Sequence, residues 1–204
     1  MGDLFSKPAA DTNKYKQQSS FKPSHINNDK ESISKQKKMS DFEEQILKLH
    51  NISRQTNGLE PLFWDKDLQQ KAEDWGKYLS CKVIRHPGTG PDSNKDEINL
   101  YVPSGIGQNL FQGSKRNNPE KDAVNLWYNE YKLYNVNNES NGIPSNFNKV
   151  GHMTQLLWKD AKKLGCSFYE CPDNQIIVCD YDKGNIQGKF RNQVPEKILP
   201  LSLK

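Results

Sequence analysis

The sequence lacks long apolar runs, and this absence limits what the protein can be. It has 204 residues, of which 33% are hydrophobic, and its mean hydropathy is −0.94. No run of about 18 apolar residues occurs, so the sequence predicts no membrane-spanning helix. No apolar stretch of signal-peptide length opens the chain. We therefore expect either a protein that is not secreted or a secreted one whose signal is missing from these residues.

Excess charge is also lacking over most of the chain. Lys and Arg number 29 and Asp and Glu number 25. Residues 1–40 contain eight lysines and four acids, which leaves 21 of each sign elsewhere. The net charge of +4 therefore lies in a polar segment, residues 1–39, which predicts a flexible arm. We expect this arm to make at most weak contact with an anionic membrane surface, and we expect no nucleic-acid partner.

Cysteine is sparse, with four residues at Cys81, Cys166, Cys171 and Cys179. Four cysteines allow three disulfide connectivities, and the spacing alone does not choose among them. Four buried thiols are the alternative to two disulfides. No C-x-x-C spacing occurs, so we do not expect these cysteines to bind a metal.

Three helices are predicted. The first follows Ser40, which forms a capping-box pattern with Glu43, and it ends at Asn57-Gly58. The second begins after Asp65, and the third begins at Asn118-Pro119 with proline in the first helical position. Their buried faces are predicted to carry Phe42, Ile46, Leu49 and Ser53 in the first, Leu68, Ala72, Trp75 and Leu79 in the second, and Ala123, Leu126, Trp127, Glu130, Tyr131 and Tyr134 in the third.

Two strands are predicted near the end of the chain. They cover about 164–170 and 175–181 and flank a turn at Pro172-Asp173-Asn174. Residues 87–105 and 135–148 are rich in turn-forming residues and predict loops. Helices around a small antiparallel sheet predict an α+β domain.

Several short segments share their order with the elements of a known family. They are HNISR at 50–54, WD at 64–65 with AEDW at 72–75, Cys81 with His86, GQNL at 107–110, WYNE at 127–130, GHMTQLLW at 151–158 followed by GC at 165–166, and IVCDY at 177–181 with GN at 184–185. Together they resemble the CAP superfamily of cysteine-rich secretory, antigen five and pathogenesis-related proteins. The resemblance implies an α-β-α sandwich with a central antiparallel sheet. We expect this domain at residues 40–190 and a C-terminal extension at 191–204.

In typical members of this family, two histidines and two glutamates line a central cleft. Matched by motif, the histidines are His86 and His152, and one glutamate is Glu130. The fourth position holds Gln108, whose neutral amide cannot act as a base. The resemblance implies that His86 and His152 can bind zinc, although no cofactor is required. A hydrogen-bonded pair that bridges a helix and a loop is the alternative.

Other residues near these motifs have simpler expected roles. Glu130 is either a ligand or a buried carboxylate held by backbone N–H groups of residues 107–110. We expect His50 to pack or cap within the first helix. Thr154 and Gln155 are expected to fix the start of their helix through side-chain-to-backbone hydrogen bonds.

The resemblance also implies a cysteine pairing and a location. By analogy, Cys81 pairs with Cys166 and Cys171 pairs with Cys179. Members with such cysteines are secreted, so an extracellular location is expected. The alternative is a cytoplasmic, membrane-associated protein, since the first six residues formally fit an N-myristoylation pattern.

The expected function is that of a non-enzymatic binding protein. An intact scaffold with Gln108 in place of an acid favours binding of a lipid, a sterol or a protein partner through the cleft and its loops. The alternative is a zinc-dependent hydrolase or protease, with His86 and His152 on the metal and Glu130 as base.

Overall fold

The computed structural model describes residues 39–79, 81–90, 105–135, 137, 139–140, 143–185 and 189–201. The predicted arm lies outside these residues apart from Met39, as does most of the loop predicted at 87–105. None of the helices in the described ranges has both the length and the apolar composition that crossing a bilayer requires.

The described chain contains five α-helices and six strands. They are α1 (Asp41–Thr56), β1 (Phe63–Trp64), α2 (Lys66–Leu79), β2 (Gly107–Ser114), α3 (Pro119–Asn129), β3 (Glu139–Ser140), β4 (Ile143–Pro144), α4 (Gly151–Leu156), β5 (Lys163–Glu170), β6 (Asn174–Tyr181) and α5 (Phe190–Gln193). Short 3-10 helices follow α3 at Glu130–Leu133 and precede α4 at Phe147–Lys149.

The helix starts follow local capping chemistry. The Ser40 hydroxyl accepts a hydrogen bond from the Glu43 backbone N–H, and the Glu43 carboxylate accepts one from the Ser40 N–H, each at 3.3 Å. The Asp65 carboxylate accepts from the N–H groups of Asp67 and Leu68 at 3.0 Å. These bonds satisfy donors that a helix leaves free in its first turn, which is why the predicted starts of α1 and α2 are correct.

Four strands form the main sheet in the order β1-β5-β6-β2. The sheet is antiparallel except for β1, which runs parallel to β5. The predicted hairpin is confirmed as β5 and β6. Strand β2 was not predicted, because the polar residues Gln108, Asn109 and Gln112 interrupt its apolar pattern. The loop predicted at 135–148 contains the small β3–β4 ladder.

Helices cover both faces of the sheet. On one face, Ala72 and Trp75 of α2 pack with Leu110, Ile176 and Val178. On the other, α1, α3 and α4 pack through a larger core that includes Trp127, Met153, Ile177 and Tyr181. The expected α-β-α sandwich is therefore confirmed. Leu126 was wrongly predicted to be buried, since it is 60% exposed beside the fully buried Ala123 and Trp127.

A buried arginine fastens α1 to the segment that joins α4 to β5. The Arg54 guanidinium, which is 0% exposed, donates hydrogen bonds of 2.8–3.1 Å to the carbonyls of Glu60, Leu156, Trp158 and Ala161. Burial lowers its pKa to about 10. Four carbonyl partners compensate for the lost hydration of the charge.

Two disulfides form, but the pairing expected by analogy is wrong. Cys81 bonds to Cys171, and Cys166 bonds to Cys179. Cys166 lies directly opposite Cys179 in the β5–β6 register, with the Cα atoms 4.1 Å apart. The backbone N–H of Cys171 bonds to Asn174 at the turn, five residues from Cys179. That distance is about 17 Å along a strand, far beyond disulfide reach.

The chain continues on the same core after β6. Phe190 and Val194 are buried, and the Lys159 N–H donates to the Gln193 carbonyl at 3.0 Å. Further along, the Tyr128 hydroxyl donates to the Leu199 carbonyl at 2.6 Å. The division between a domain ending at residue 190 and a C-terminal extension stays a prediction.

Candidate functional site

A cleft of about 450 Å³ opens where β2 begins at the edge of the sheet. His86 follows α2 along the chain, His152 lies on α4, and both line the cleft with Gln108 and Asp180. Glu130 contacts His152 from the 3-10 helix after α3. The structure therefore brings the four residues matched by motif together and adds Asp180 to them.

Close packing of glycine holds α4 against the start of β2. A Cβ atom on Gly107 would overlap the Gln155 side chain. That side chain donates to the Lys183 carbonyl at 2.8 Å and accepts from the Asn185 N–H at 2.9 Å. Thr154 donates to the Gly151 carbonyl at 2.9 Å. Thr154 thus makes the expected bond at the start of its helix, whereas the expectation was wrong for Gln155, whose bonds tie α4 to the loop after β6.

The first half of the cleft network contains His152 and Glu130. Glu130 Oε1 lies 2.7 Å from His152 Nδ1, and its Oε2 accepts from the Met153 N–H at 2.9 Å. The Trp127 ring stacks on the imidazole, with ring centroids 6.2 Å apart. The backbone donor is Met153, so the expectation that residues 107–110 hold Glu130 was wrong. The carboxylate places a proton on Nδ1, which leaves Nε2 of a neutral His152 as an acceptor.

The second half contains His86, Gln108 and Asp180. His86 Nδ1 lies 3.0 Å from Gln108 Oε1, and Gln108 Nε2 donates to Asp180 Oδ1 at 2.9 Å. His86 is partly exposed, yet the cleft walls remove enough hydration to lower its pKa, although the hydrogen bond to Gln108 acts in the opposite direction. Asp180 is 1% exposed, and burial raises its pKa to about 7.

A third network lies behind the cleft, in the core. Asn109 Nδ2 donates to the His152 carbonyl at 3.0 Å and to the Tyr181 hydroxyl at 3.1 Å. His50 Nδ1 bonds to the Ile46 carbonyl at 2.7 Å, and its Nε2 lies 2.8 Å from the Tyr181 hydroxyl. A carbonyl only accepts, so Nδ1 carries the proton and Nε2 accepts from Tyr181. Burial lowers the pKa of His50 to about 4, so this histidine is neutral. It packs and caps within α1, as the sequence predicted.

The donor set does not match a catalytic zinc site. Among the residues that the structure describes, no cluster of three or more His, Cys, Asp or Glu is arranged to hold a metal ion. Catalytic zinc sites use three protein ligands, whereas this cleft offers two imidazoles, the neutral Gln108 and an Asp180 carboxylate that is 1% exposed and already bonded to Gln108. Both Glu130 oxygens are already bonded. Zinc at His86 and His152 therefore stays a prediction.

Three residues near the cleft had no role in the sequence interpretation. Asn109 and Asp180 stood inside quoted motifs, but their partners lie across strands or helices. Asn185 donates to the Gly151 carbonyl and to the Thr154 hydroxyl, each at 3.0 Å. The hydrogen bond from Gln108 to Asp180 depends on the pairing of β2 with β6, and β2 itself was not predicted.

The fold and this cleft define an α-β-α sandwich with a two-histidine site, and sequence comparison places it in a family. Residues 47–181, more than half of the chain, match the CAP family (Cysteine-rich secretory protein family). GLIPR1-like protein 1 of Bos taurus is 32% identical over 165 residues, which cover 76% of this chain and 62% of that protein. Pathogenesis-related protein 1 of Arabidopsis thaliana is 30% identical over 163 residues, which cover 78% of this chain and 84% of that protein. The chain belongs to the CAP family, and it spans less than two thirds of the bovine relative.

A solved structure shares the fold. The crystal structure of NaASP2 with Zn2+ matches with a TM-score of 0.58 and 22% identity, covering 74% of this chain and 84% of that one. At this level of identity the likeness establishes the architecture alone.

Proposed function

We propose that this protein is a non-enzymatic CAP-domain binding protein whose cleft takes a lipid or sterol, or docks a partner protein with help from the surrounding loops. The observation that carries the proposal is the pair of held imidazoles. In each, Nδ1 is bonded inside the protein, and no described residue hydrogen-bonds to Nε2. The cleft volume of about 450 Å³ lies in the usual range for small-molecule sites.

The chemistry of the cleft favours a sterol over a fatty acid. Pro87, Ile106 and Phe147 supply apolar surface beside the two histidines. A neutral imidazole Nε2 accepts a hydrogen bond, which a sterol hydroxyl can donate. An ionised fatty-acid carboxylate only accepts, so it finds no donor at the same atoms. An amphipathic ligand with a hydroxyl head therefore complements the site better.

The cleft lining supports binding rather than covalent catalysis. None of the described residues that line it is Ser, Thr, Cys or Lys, the usual nucleophiles. The described cysteines are joined in disulfides.

Binding of radiolabelled cholesterol and oleate to the full chain tests this proposal. We expect saturable cholesterol binding that weakens about tenfold in either His86→Gln or His152→Gln, since the single sterol hydroxyl donates to only one Nε2 atom. His25→Gln is the matched control, because His25 belongs to the predicted arm. Cholesterol binding that is equal in all four proteins would place the ligand outside the cleft. No binding of either probe would favour the partner protein.

A zinc-dependent hydrolase is the second candidate. It is favoured by the Glu130 carboxylate behind His152, since carboxylates often orient metal-bound imidazoles in this way. Hydrolysis of ester and peptide substrates by the full chain with added zinc would be measured, together with Glu130→Gln. Equal turnover in both proteins, or none in the parent, would remove this candidate.

The location and the arm are also part of the proposal. Two disulfides support an oxidising, extracellular compartment. The eight lysines of residues 1–40 support weak contact with anionic lipid. Sedimentation with phosphatidylserine vesicles should fall when salt is raised, and also when these lysines are changed to Gln. Binding that survives both changes would contradict a contact made by the arm.

A further inference from the structure

Asp180 occupies an unusual position for an acid. It is directly opposite Gln108 in the β2–β6 register, so the two side chains lie on the same face of the sheet. Its carboxylate is 1% exposed and lines the cleft. Among the described residues it makes no ion pair, and the charge of Lys71 acts on it only at longer range. Its side chain accepts a hydrogen bond from the Gln108 amide at 2.9 Å.

Stability does not explain this placement. A buried carboxylate loses several kcal/mol of hydration, and a single amide hydrogen bond restores only part of it. An apolar residue of similar size would be easier to bury at this position. A role in the cleft therefore explains the position of Asp180 better than stability does.

The hydrogen bonds from Asp180 outward have a fixed direction. Above its pKa of about 7 the Asp180 carboxylate is ionised and only accepts, so Gln108 must turn its NH2 group toward it. That orientation turns Gln108 Oε1 toward His86, and Oε1 can only accept. His86 must then donate from Nδ1, which leaves its Nε2 as a bare acceptor.

We propose that Asp180 is a positioning residue that fixes the tautomer of His86 through the amide of Gln108. His152 is held in the same tautomer by direct contact with Glu130. Each imidazole thus has a carboxylate behind it, one in contact and one through an amide relay. The acid that is missing at position 108 acts from the neighbouring strand. The importance of this relay for ligands rests on the proposed function, because it makes both Nε2 atoms acceptors.

The relay makes positions 108 and 180 interdependent. Gln108→Glu alone would set two carboxylates about 3 Å apart, which disfavours ionisation of both. Combining it with Asp180→Asn exchanges the acid and the amide. The new amide would donate to the new carboxylate, which would still accept from His86 Nδ1. The double variant should therefore restore the Nδ1–H tautomer of His86 that a change at position 108 or 180 alone disturbs.

NMR of the full chain with 15N-labelled histidine, at a pH above the Asp180 pKa of about 7, tests the relay, because the shifts of the two ring nitrogens report which one carries the proton. The chain has four histidines, and His86→Gln assigns the signal of interest. We expect Nδ1–H as the dominant form of His86 in the parent and in Gln108→Glu with Asp180→Asn. In Asp180→Leu, Nδ1–H should become the minor form.

Gln112→Leu is the matched control. Gln112 lies on the same strand and face as Gln108, but it donates to the Lys82 carbonyl, so its loss should leave the His86 tautomer unchanged. Should Asp180→Leu not fold, Asp180→Ala gives the same readout with a smaller side chain. An Nε2–H form of His86 in the parent would overturn the proposal. So would a His86 tautomer that does not change in a folded Asp180 variant.

Cholesterol binding by the same variants separates the relay from the proposed function. A tautomer that shifts as expected, in a protein that binds no cholesterol, would uphold the relay and remove the sterol proposal. Cholesterol binding by the parent, with a His86 tautomer unaffected by Asp180→Leu, would overturn the relay and keep the sterol proposal. If both hold, and His86→Gln has shown that His86 accepts from the sterol hydroxyl, Asp180→Leu should also weaken cholesterol binding about tenfold.

Discussion

The histidine in the core and the histidines in the cleft differ in how fully the protein bonds them. Both ring nitrogens of His50 have protein partners, at 2.7 and 2.8 Å. His86 and His152 each have one bonded nitrogen, and no described residue hydrogen-bonds to the other. The same side chain is therefore structural in one place and available to a ligand in the other. The number of bonded ring nitrogens distinguishes the two kinds of histidine, whereas residue type alone does not.

The largest effect on the core side should come from Arg54→Met. The four carbonyls that Arg54 binds would lose their donors in a dry interior, so we expect the free energy of unfolding to fall by about 3–5 kcal/mol. Urea denaturation measures the change. Arg116→Met is the control, because the Arg116 side chain is 69% exposed and should matter by less than about 0.5 kcal/mol. Equal losses of stability in the two variants would contradict a stabilising role for the hydrogen bonds of Arg54.

The two disulfides should differ in which region they affect. Cys81→Ala with Cys171→Ala opens a link across 90 residues, and Cys166→Ala with Cys179→Ala opens one across 13. Chain-entropy arguments give losses of roughly 4.6 and 2.9 kcal/mol in the free energy of unfolding. Cys81 precedes His86 by five residues, so only the first pair should also disturb the His86 signal in NMR. A change in the His86 signal in Cys166→Ala with Cys179→Ala, but not in Cys81→Ala with Cys171→Ala, would contradict the link between the Cys81–Cys171 disulfide and the cleft.

The core and the cleft should contribute to the pH dependence of the free energy of unfolding with opposite signs. Folded His50, with a pKa of about 4, binds fewer protons than the unfolded chain up to pH 6.5, so its contribution to the free energy of unfolding rises with pH. Folded Asp180, with a pKa raised from 3.8 to about 7, binds more protons, so its contribution falls as pH rises through that window. Each effect is on the order of 3 kcal/mol.

Urea denaturation between pH 4 and 7 shows the two slopes separately. Relative to the parent, Asp180→Leu should gain stability with increasing pH, because the falling contribution is gone. His50→Leu should lose stability with increasing pH over the same range. Parallel curves for the parent and both variants would show that neither group titrates with a shifted pKa.

The smallest expected effects on stability come from changing a core histidine and a cleft histidine to leucine. His50→Leu removes the partners of the Ile46 carbonyl and the Tyr181 hydroxyl inside the core, so we expect a loss of about 2 kcal/mol. His86→Leu leaves Gln108 near solvent and should change stability by less than about 0.5 kcal/mol. Thermal unfolding measures both. A larger loss from His86→Leu would mean that the cleft histidine is structural too.

Much of the fold could be predicted from local patterns, and the predicted strands also imply one of the two disulfides. The capping residues set the starts of α1 and α2, and the turn at Pro172-Asp173-Asn174 located β5 and β6. Pairing the ends of the predicted strands, 164 with 181 and 170 with 175, places residue 166 opposite residue 179. The predicted strands thus already implied the Cys166–Cys179 bond, whereas analogy with the family gave the wrong pairing.

The motif match brought His86, Gln108, Glu130 and His152 to one cleft, but it did not predict their partners. Glu130 takes its backbone hydrogen bond from Met153 rather than from residues 107–110. Asp180 becomes a neighbour of Gln108 only through the pairing of β2 with β6. Neither contact follows from spacing along the chain, since each joins residues more than twenty positions apart.

The sequence by itself determined the helix starts, the hairpin and the family, because caps, turns and motifs act over a few neighbouring residues. Tertiary structure alone decided which nitrogen of each histidine is bonded and which acid stands behind Gln108. The physical reason is that hydrogen-bond partners in the core and the cleft are set by strand register and helix packing. Those depend on the burial of the whole apolar surface, which no short segment encodes.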